Sequence, residues 1–106
     1  MLVVNRFRVD EADAESFREQ LARAHDVLAA CPGYVGGTVG RNLDDQSIWL
    51  LTAQWENVGS YRRALSSYDV KVHAMAVLAK AIDEPSAYEV VTGSDDLNRD
   101  VPRRLR

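Results

Sequence analysis

The stretch Ser47-Ile-Trp-Leu-Leu-Thr-Ala-Gln-Trp55 decides the fold, because it is the clearest β-strand in the sequence. Apolar residues occupy both of its alternating faces, which is typical of a strand that is covered on both sides. Trp49 and Trp55 are six residues apart, so their side chains point to the same face. Two large aromatic side chains on one face predict a packed core beneath this strand.

Patterns on either side of this strand predict one α+β domain over residues 1–93. Four strand-like segments are predicted at Leu2–Val9, Tyr34–Arg41, Ser47–Trp55 and Ala87–Thr92. Three helices are predicted between them, namely a long one that opens in the acidic run DEADAE and ends before Pro32-Gly33, a short one at Val58–Leu65 and one at Tyr68–Lys80. The order β-α-β-β-α-α-β is the ferredoxin-like plan, an antiparallel sheet with helices on one face. Residues 94–106 lose this periodicity and are predicted to form a polar tail outside the core.

Composition and charge exclude several classes of partner. The chain carries 13 Lys and Arg against 16 Asp and Glu, and the basic residues are scattered, so no nucleic-acid partner is predicted. No apolar run approaches the ~18 residues of a membrane-spanning helix, so no membrane partner is predicted. Cys31 is the single cysteine and no secretory signal is predicted before Leu2, so we expect a cytoplasmic protein without an intrachain disulfide.

The second face of the predicted sheet also carries apolar side chains. Leu2 and Val4 alternate with core-facing residues on the first strand, as Ile48 and Leu50 do on the third. Helices cover only one face of a ferredoxin-like sheet, and a large exposed apolar face is typical of an interaction surface. The sequence therefore predicts a homodimer in which two sheets pack face to face.

Two histidines lie on or beside the apolar faces of predicted helices. In the helix at Tyr68–Lys80, the apolar stripe is formed by Val70, Ala74, Val77, Leu78 and Ala81, and His73 falls within it. We therefore expect His73 on the inner face, either above a pocket or satisfied by a hydrogen bond within the core. His25 lies at the edge of the first helix's apolar stripe and is expected to be solvated.

Asn5 is the polar residue on the apolar face of the first strand, which it shares with Val3, Phe7 and Val9. A buried amide without a hydrogen bond costs roughly 1–3 kcal/mol, and Asn is unfavourable in strands. Asn5 is therefore expected either to face a pocket, where its NH₂ group would donate a hydrogen bond to a ligand, or to bridge to a neighbouring loop, and the pattern favours the pocket.

Three of these features together resemble the antibiotic biosynthesis monooxygenase family. They are a helix that ends in Cys31-Pro-Gly-Tyr34, a glycine-containing second strand, and a third strand that closes with Gln54-Trp-Glu56. A short helix bearing Tyr61 and a following helix bearing His73 extend the resemblance to nearly all of residues 1–93. The resemblance implies a dimeric α+β barrel and a monooxygenase that acts on a small aromatic molecule.

One branch of that family binds and degrades heme, and its members carry an Asn in the first strand, a Trp in the short helix and a His in the next helix. Asn5 and His73 match the Asn and the His, whereas Ala64 stands at the Trp position. The resemblance therefore implies that Asn5 and His73 are catalytic residues facing one cavity, with His73 as the metal ligand only if heme iron is bound. The missing indole implies weak or absent heme degradation.

Three functional interpretations stay open, and the pattern favours an enzyme. In the first interpretation, heme is both cofactor and substrate. In the second, as in cofactor-free members of the family, O₂ reacts directly with an electron-rich phenol or quinol of the polyketide type. The third is a non-catalytic dimeric binding module. No Gly-rich loop precedes a helix, so no flavin or nucleotide site is predicted. The candidate pocket-lining residues are Phe7, Trp49, Tyr61, Ala64 and Tyr68.

Overall fold

The computed structural model describes residues 1–94, 96 and 97, and it confirms the α+β class. The strands are β1 (Leu2–Arg8), β2 (Tyr34–Arg41), β3 (Ile48–Trp55) and β4 (Ala87–Tyr88). The helices are α1 (Ala14–Ala29), α2 (Val58–Ser66), α3 (Tyr68–His73) and α4 (Met75–Leu78), with a 3-10 turn at Glu11–Asp13 before α1. The strands form one antiparallel sheet in the order β2-β3-β1-β4, the ferredoxin-like plan.

The hydrophobic core lies between the helices and one face of the sheet, here called the inner face. This face is rich in large apolar side chains because β1 and β3 each place alternate residues on it. The core residues from α1 repeat at helical spacing, as the sequence predicts. The largest fully buried side chains are Trp55, Phe7, Leu21, Leu51 and Val70.

Two polar turns fix how the helices meet the sheet. Gly33 has φ +88°, and a side chain there would also collide with Ser60, so the turn between α1 and β2 requires glycine. Asn57 begins α2, because its Oδ1 accepts a hydrogen bond of 2.8 Å from the backbone N–H of Ser60. Ser67 begins α3 in the same way, by accepting from the N–H of Val70. The first cap places α2 next to the end of β3, and the second lets α3 pack against α1 and α2.

Two predicted elements differ from the structure. The helix predicted at Tyr68–Lys80 is broken at Ala74, whose φ of −125° and ψ of −32° are not helical, and so it forms α3 and α4. The last strand, predicted at Ala87–Thr92, is only Ala87–Tyr88, because β1 supplies pairing partners for those two residues alone within the described chain. The predicted tail at 94–106 lies mostly outside the described residues.

The opposite face of the sheet, here called the outer face, carries no helix within the described chain. Its apolar side chains, Leu2, Val4, Ile48 and Leu50, are only half-buried. Exposed apolar side chains continue along the segment after β4, at Val90 and Val91. Among the described residues, no helix is both long and apolar enough to cross a membrane.

Candidate functional site

The strand register defines rows of side chains on the inner face of the sheet, and three of them surround Asn5. Arg41, Trp49 and Phe7 form the first row, and Val39, Leu51 and Asn5 form the second. The third row is Gly37, Ala53 and Val3. Asn5 is thus directly opposite buried Leu51 and diagonal to Trp49, a separation that long side chains can bridge.

Asn5 has no hydrogen-bond partner for its side-chain amide within the described part of the chain, although the residue is half-buried. Its neighbour across the strands, Leu51, is 1% exposed, so the amide lies at the border of the core. A half-buried amide in such a position retains two N–H donors and one acceptor for a ligand. The register places Asn5 on the helix side of the sheet, but it lines none of the four clefts found among the described residues, so its place in a pocket stays a prediction.

An aromatic cluster lies next to Asn5 and is formed by Phe7, Phe17 and Trp49. The Phe7 and Phe17 ring centroids are 5.2 Å apart, and the Phe17 and Trp49 centroids are 5.6 Å apart in an edge-to-face arrangement. Trp49 is buried, and its Nε1–H has no hydrogen-bond partner among the residues that the structure describes. An unpaired buried donor is costly, so this N–H is available to an acceptor that enters the site.

Two clefts open on either side of this cluster. The first, here called the lysine cleft, has a volume of about 410 Å³; Phe7 and Phe17 line it together with Arg8, Asp10, Asp13 and Lys80. The second, here called the arginine cleft, has a volume of about 380 Å³. Its lining includes Trp49, Val39, Arg41 and Glu11. Both volumes fall within the range of roughly 300–1,000 Å³ that is typical of small-molecule sites.

Arg41 is held in place on the wall of the arginine cleft by three contacts. Its guanidinium carbon lies 5.2 Å from the centroid of the Trp49 ring, a cation–π geometry. Its Nε donates a hydrogen bond of 2.8 Å to the backbone oxygen of Gln46, and its Nη2 donates one of 2.7 Å to Glu11 Oε2. The guanidinium is therefore oriented before any ligand arrives.

A second aromatic cluster surrounds Trp55 at the other end of β3. The ring centroid of Trp55 is 5.4 Å from that of Tyr34 and 5.9 Å from that of Tyr61. A hydrogen bond of 2.6 Å joins Tyr34 Oη and His25 Nε2. Burial raises the pKa of Tyr34 and that of Tyr61 above the ordinary tyrosine value. Both phenols are therefore neutral at pH 7 and able to donate a hydrogen bond.

The expected position of His73 on the inner face is wrong, because the structure exposes this residue. His73 is the last residue of α3 and is exposed, whereas Val70, Ala74 and Val77 are buried on both sides of the break. Its position three residues after Val70 lies at the flank of this apolar stripe. His73 lines clefts with Arg23 and Asp26 of α1. Asn5 lines neither of these clefts, so the structure does not bring the two residues together.

The remaining pocket-lining candidates are divided among different environments. Phe7 and Trp49 belong to the cluster beside Asn5. Tyr61 is half-buried against Trp55. Ala64 is 4% exposed and packs in the core, whereas Tyr68 is 77% exposed and lines no interior site. The candidates that gather at one place are therefore Asn5, Phe7 and Trp49.

Residues 1–75 match the antibiotic biosynthesis monooxygenase family over about two thirds of the chain. The chain belongs to this family. Deoxynogalonate monooxygenase of Streptomyces nogalater is 35% identical over 81 residues, which are 76% of this chain and 68% of that protein. The family resemblance inferred from the turn at Cys31–Tyr34 and from Gln54–Glu56 is thus confirmed, and with it the monooxygenase class.

Solved structures of family members share the fold. The structure of SnoaB, a cofactor-independent oxygenase from Streptomyces nogalater, is similar with a TM-score of 0.70 at 32% identity, covering 89% of this chain and 96% of that one. A second family protein, from Deinococcus radiodurans, has a TM-score of 0.70 at 18% identity and covers 92% of this chain and all of its own. The second similarity concerns the fold alone.

Sequence reasoning missed two of the polar contacts at these clusters. His25 is not solvated as expected, since it is half-buried and bonded to Tyr34. A histidine on the helix that precedes the Pro-Gly-Tyr turn is the signal that indicates this pair. Arg41 was missed as a site residue, and its signal is the register that places it opposite Trp49.

Proposed function

We propose that this protein is a cofactor-independent monooxygenase that oxidises a planar phenolic aromatic molecule of the polyketide type with O₂. The observation that carries the proposal is the unpartnered amide of Asn5, half-buried beside the cluster of Phe7, Phe17 and Trp49. The description of SnoaB as cofactor-independent supports the same choice. The substrate would lie between the inner face of the sheet and α1.

Asn5 would act as a hydrogen-bond donor to the substrate oxygen. When a phenol or enol transfers electron density to O₂, its oxygen must first lose a proton and become negative. An amide N–H that is already positioned and shielded from water stabilises such a charge more strongly than water does. Asn5 suits this role because no other group in the described chain occupies its donors.

The aromatic cluster would orient the rings and exclude water. Phe7 is 1% exposed and Trp49 is 6% exposed, so their rings form rigid walls. Apolar walls with a few convergent polar groups are the usual construction of small-molecule sites. A dry site also protects a reactive oxygen intermediate from side reactions with solvent.

The reaction balances without an external reductant. Where a substrate carbon carries two hydrogens next to the phenolate ring system, one oxygen atom replaces both hydrogens and forms a carbonyl. The second oxygen atom leaves with those two hydrogens as water. The carbon loses four electrons and O₂ gains four, so the substrate itself supplies every electron.

The heme interpretation receives less support from the position of its ligand. An axial ligand must reach iron in the same cavity as the distal donor. His73 is exposed beside Arg23 and Asp26 of α1, and Asn5 lies on the inner face of β1. We therefore do not extend the proposal to heme chemistry.

Oxygen uptake with 1,8-dihydroxyanthrone as probe tests the proposal. Chelator-treated protein is expected to consume O₂ and form the anthraquinone. Asn5→Ala should lower kcat by about a hundredfold, the effect of removing one donor to a developing oxyanion. Gln46→Ala is the matched control, because it removes an exposed side-chain amide from the turn between β2 and β3, keeps the backbone oxygen there and should leave the rate unchanged. Equal rates for Asn5→Ala and wild type would contradict the proposal.

We further propose that the active form is a homodimer that packs outer face on outer face, in the cytoplasm. The half-buried side chains of Leu2, Val4, Ile48 and Leu50 support this arrangement, because they leave an apolar surface without a covering layer in the single chain. Leu50→Arg should convert the dimer to a monomer in light scattering. Leu43→Arg is the control, since Leu43 is 95% exposed in the turn between β2 and β3. A monomeric wild type at micromolar concentration would rule out the dimer.

A further inference from the structure

Arg41 has unused hydrogen-bonding capacity at the mouth of the arginine cleft. A guanidinium carries five N–H donors in a fixed planar fork. The described contacts occupy Nε, which donates to Gln46 O, and Nη2, which donates to Glu11 Oε2. The other donors have no partner among the described residues. The side chain is 33% exposed, so a ligand can reach it.

Glu11 is a weakly held partner of Arg41. Its side chain is 81% exposed and contacts the guanidinium through one oxygen. Exposed ion pairs of this kind contribute little, because both charges are well solvated when they separate. A carboxylate that approaches Arg41 with both oxygens would form two parallel hydrogen bonds and would replace Glu11.

The wall of the arginine cleft suits an aromatic acid rather than a free inorganic anion. Trp49, Val39 and Ala14 supply apolar surface next to the guanidinium. The second arginine of this cleft, Arg18, is 63% exposed, whereas Arg41 is 33% exposed and lies against the Trp49 ring, so Arg41 is the better oriented anchor. The lysine cleft is less suitable: both clefts carry two basic and two acidic side chains, but among the described residues only the arginine cleft has a cation held against an indole ring.

The separation between Arg41 and Asn5 indicates the size of the substrate. The two residues lie on β2 and β1 with β3 between them, and they are offset by one row of the inner face. Strand spacing of about 4.8 Å and a rise of about 3.4 Å per residue place their Cα atoms roughly 12 Å apart. Asn5 does not itself line the arginine cleft, so a ligand anchored at Arg41 has to extend beyond that cleft to reach it, which favours a fused-ring system over a single ring.

We propose that Arg41 anchors a carboxylate on a fused-ring aromatic substrate, and that this carboxylate displaces Glu11 from the guanidinium. This inference rests on the proposed function, since it names an acidic substituent on the substrate of the same site. Arg41 would then determine specificity for the acid, while Asn5 would donate a hydrogen bond to the ring oxygen that becomes charged. Glu11 acts as an internal competitor that keeps the guanidinium paired in the free protein.

Binding of an inert probe tests this assignment separately from oxygenase activity. Anthraquinone-2-carboxylate and its neutral amide, anthraquinone-2-carboxamide, differ in charge and cannot undergo the oxidation. Their binding is followed by the NMR signal of the Trp49 indole N–H, which is assigned with Trp49→Phe. We expect the carboxylate to bind about tenfold more tightly than the amide and to shift this signal.

Three variants separate the roles within the arginine cleft. Arg41→Gln should abolish the preference for the carboxylate, and Glu11→Gln should tighten carboxylate binding because the internal competitor is lost. Arg18→Gln is the matched control and should leave the preference intact. Circular dichroism of each variant checks that it is folded.

Each result bears on the proposal directly. Equal binding of carboxylate and amide to the wild type, or a preference that survives Arg41→Gln in folded protein, would overturn it. Failure of both probes to bind would also overturn it. If the probes bind as expected while 1,8-dihydroxyanthrone consumes no O₂, the oxygenase proposal fails and the anchoring role of Arg41 stands.

Discussion

Replacing Gly37 with alanine should destabilise the protein by about 2–4 kcal/mol, because no space exists for a methyl group at this position. A Cβ atom at residue 37 would overlap the backbone oxygen of Thr52, and it would lie 2.7 Å from Tyr34 Oη and 3.2 Å from Ala53 Cα. Two of these three atoms belong to the backbone of β3, so β2 must move away from β3. Overpacking of this kind costs about 1–3 kcal/mol, and each strained ladder hydrogen bond adds about 1 kcal/mol.

Urea denaturation followed by tryptophan fluorescence measures this loss, since Trp49 and Trp55 are both buried in the folded state. The melting temperature should fall by roughly 10–25 °C for a domain of this size. Gly36→Ala is the matched control: nothing lies within 4 Å of its Cβ position, so its unfolding free energy should equal or slightly exceed that of wild type. If Gly37→Ala unfolds within about 0.5 kcal/mol of wild type, the packing of β2 on β3 is not as described.

Three further perturbations have defined outcomes. Glu84 accepts hydrogen bonds from Arg6 at 2.7 and 3.0 Å, which lowers the Glu84 pKa, so Arg6→Gln should raise that pKa in a ¹³C NMR titration. Arg6 should stabilise the protein through Glu84 at pH values above the pKa that glutamate has in the unfolded chain. This stabilisation should be lost as the pH falls through the lower pKa of Glu84 in the folded protein. A difference in unfolding free energy between wild type and Arg6→Gln that is the same at every pH would contradict this. Because burial raises the pKa of Tyr61, its phenolate absorbance should appear above pH 10, and wild type should lose more stability than Tyr61→Phe as the pH rises further. The unfolding free energy of His73→Ala should lie within about 0.5 kcal/mol of that of wild type, because the side chain is exposed. A loss of more than about 2 kcal/mol would indicate that His73 is buried on the inner face after all.

Alternation and turn chemistry predicted the sheet well because they are local properties of the sequence. The strand at Ser47–Trp55 was predicted from apolar residues on both of its alternating faces, which is typical of a strand that is covered on both sides. The turn at Pro32-Gly33 and the cap at Asn57 follow from backbone conformations that few other residues satisfy. The α+β class and the order of strands could therefore be read from the residues alone.

The candidate site was predicted only in part, because its contacts join distant segments. Asn5 was predicted as a site residue because a polar residue interrupts an apolar strand face, which is a local signal. Helical periodicity placed His73 within an apolar stripe, but the buried stripe runs through Val70, Ala74 and Val77, and His73 lies at its exposed flank. Arg41 was missed because its partners, Glu11 and Trp49, are brought to it only by the strand register and the packing of α1.

Isotope labelling of the reaction tests the central proposal most directly. Chelator-treated protein that is free of heme and flavin is given 1,8-dihydroxyanthrone under ¹⁸O₂, and the product is analysed by mass spectrometry. The account predicts that each molecule of anthraquinone carries one ¹⁸O atom, that the second ¹⁸O atom appears in water, and that Asn5→Ala slows labelled-product formation by about a hundredfold. Product without ¹⁸O, or labelled product formed at the same rate by Asn5→Ala, would contradict the account.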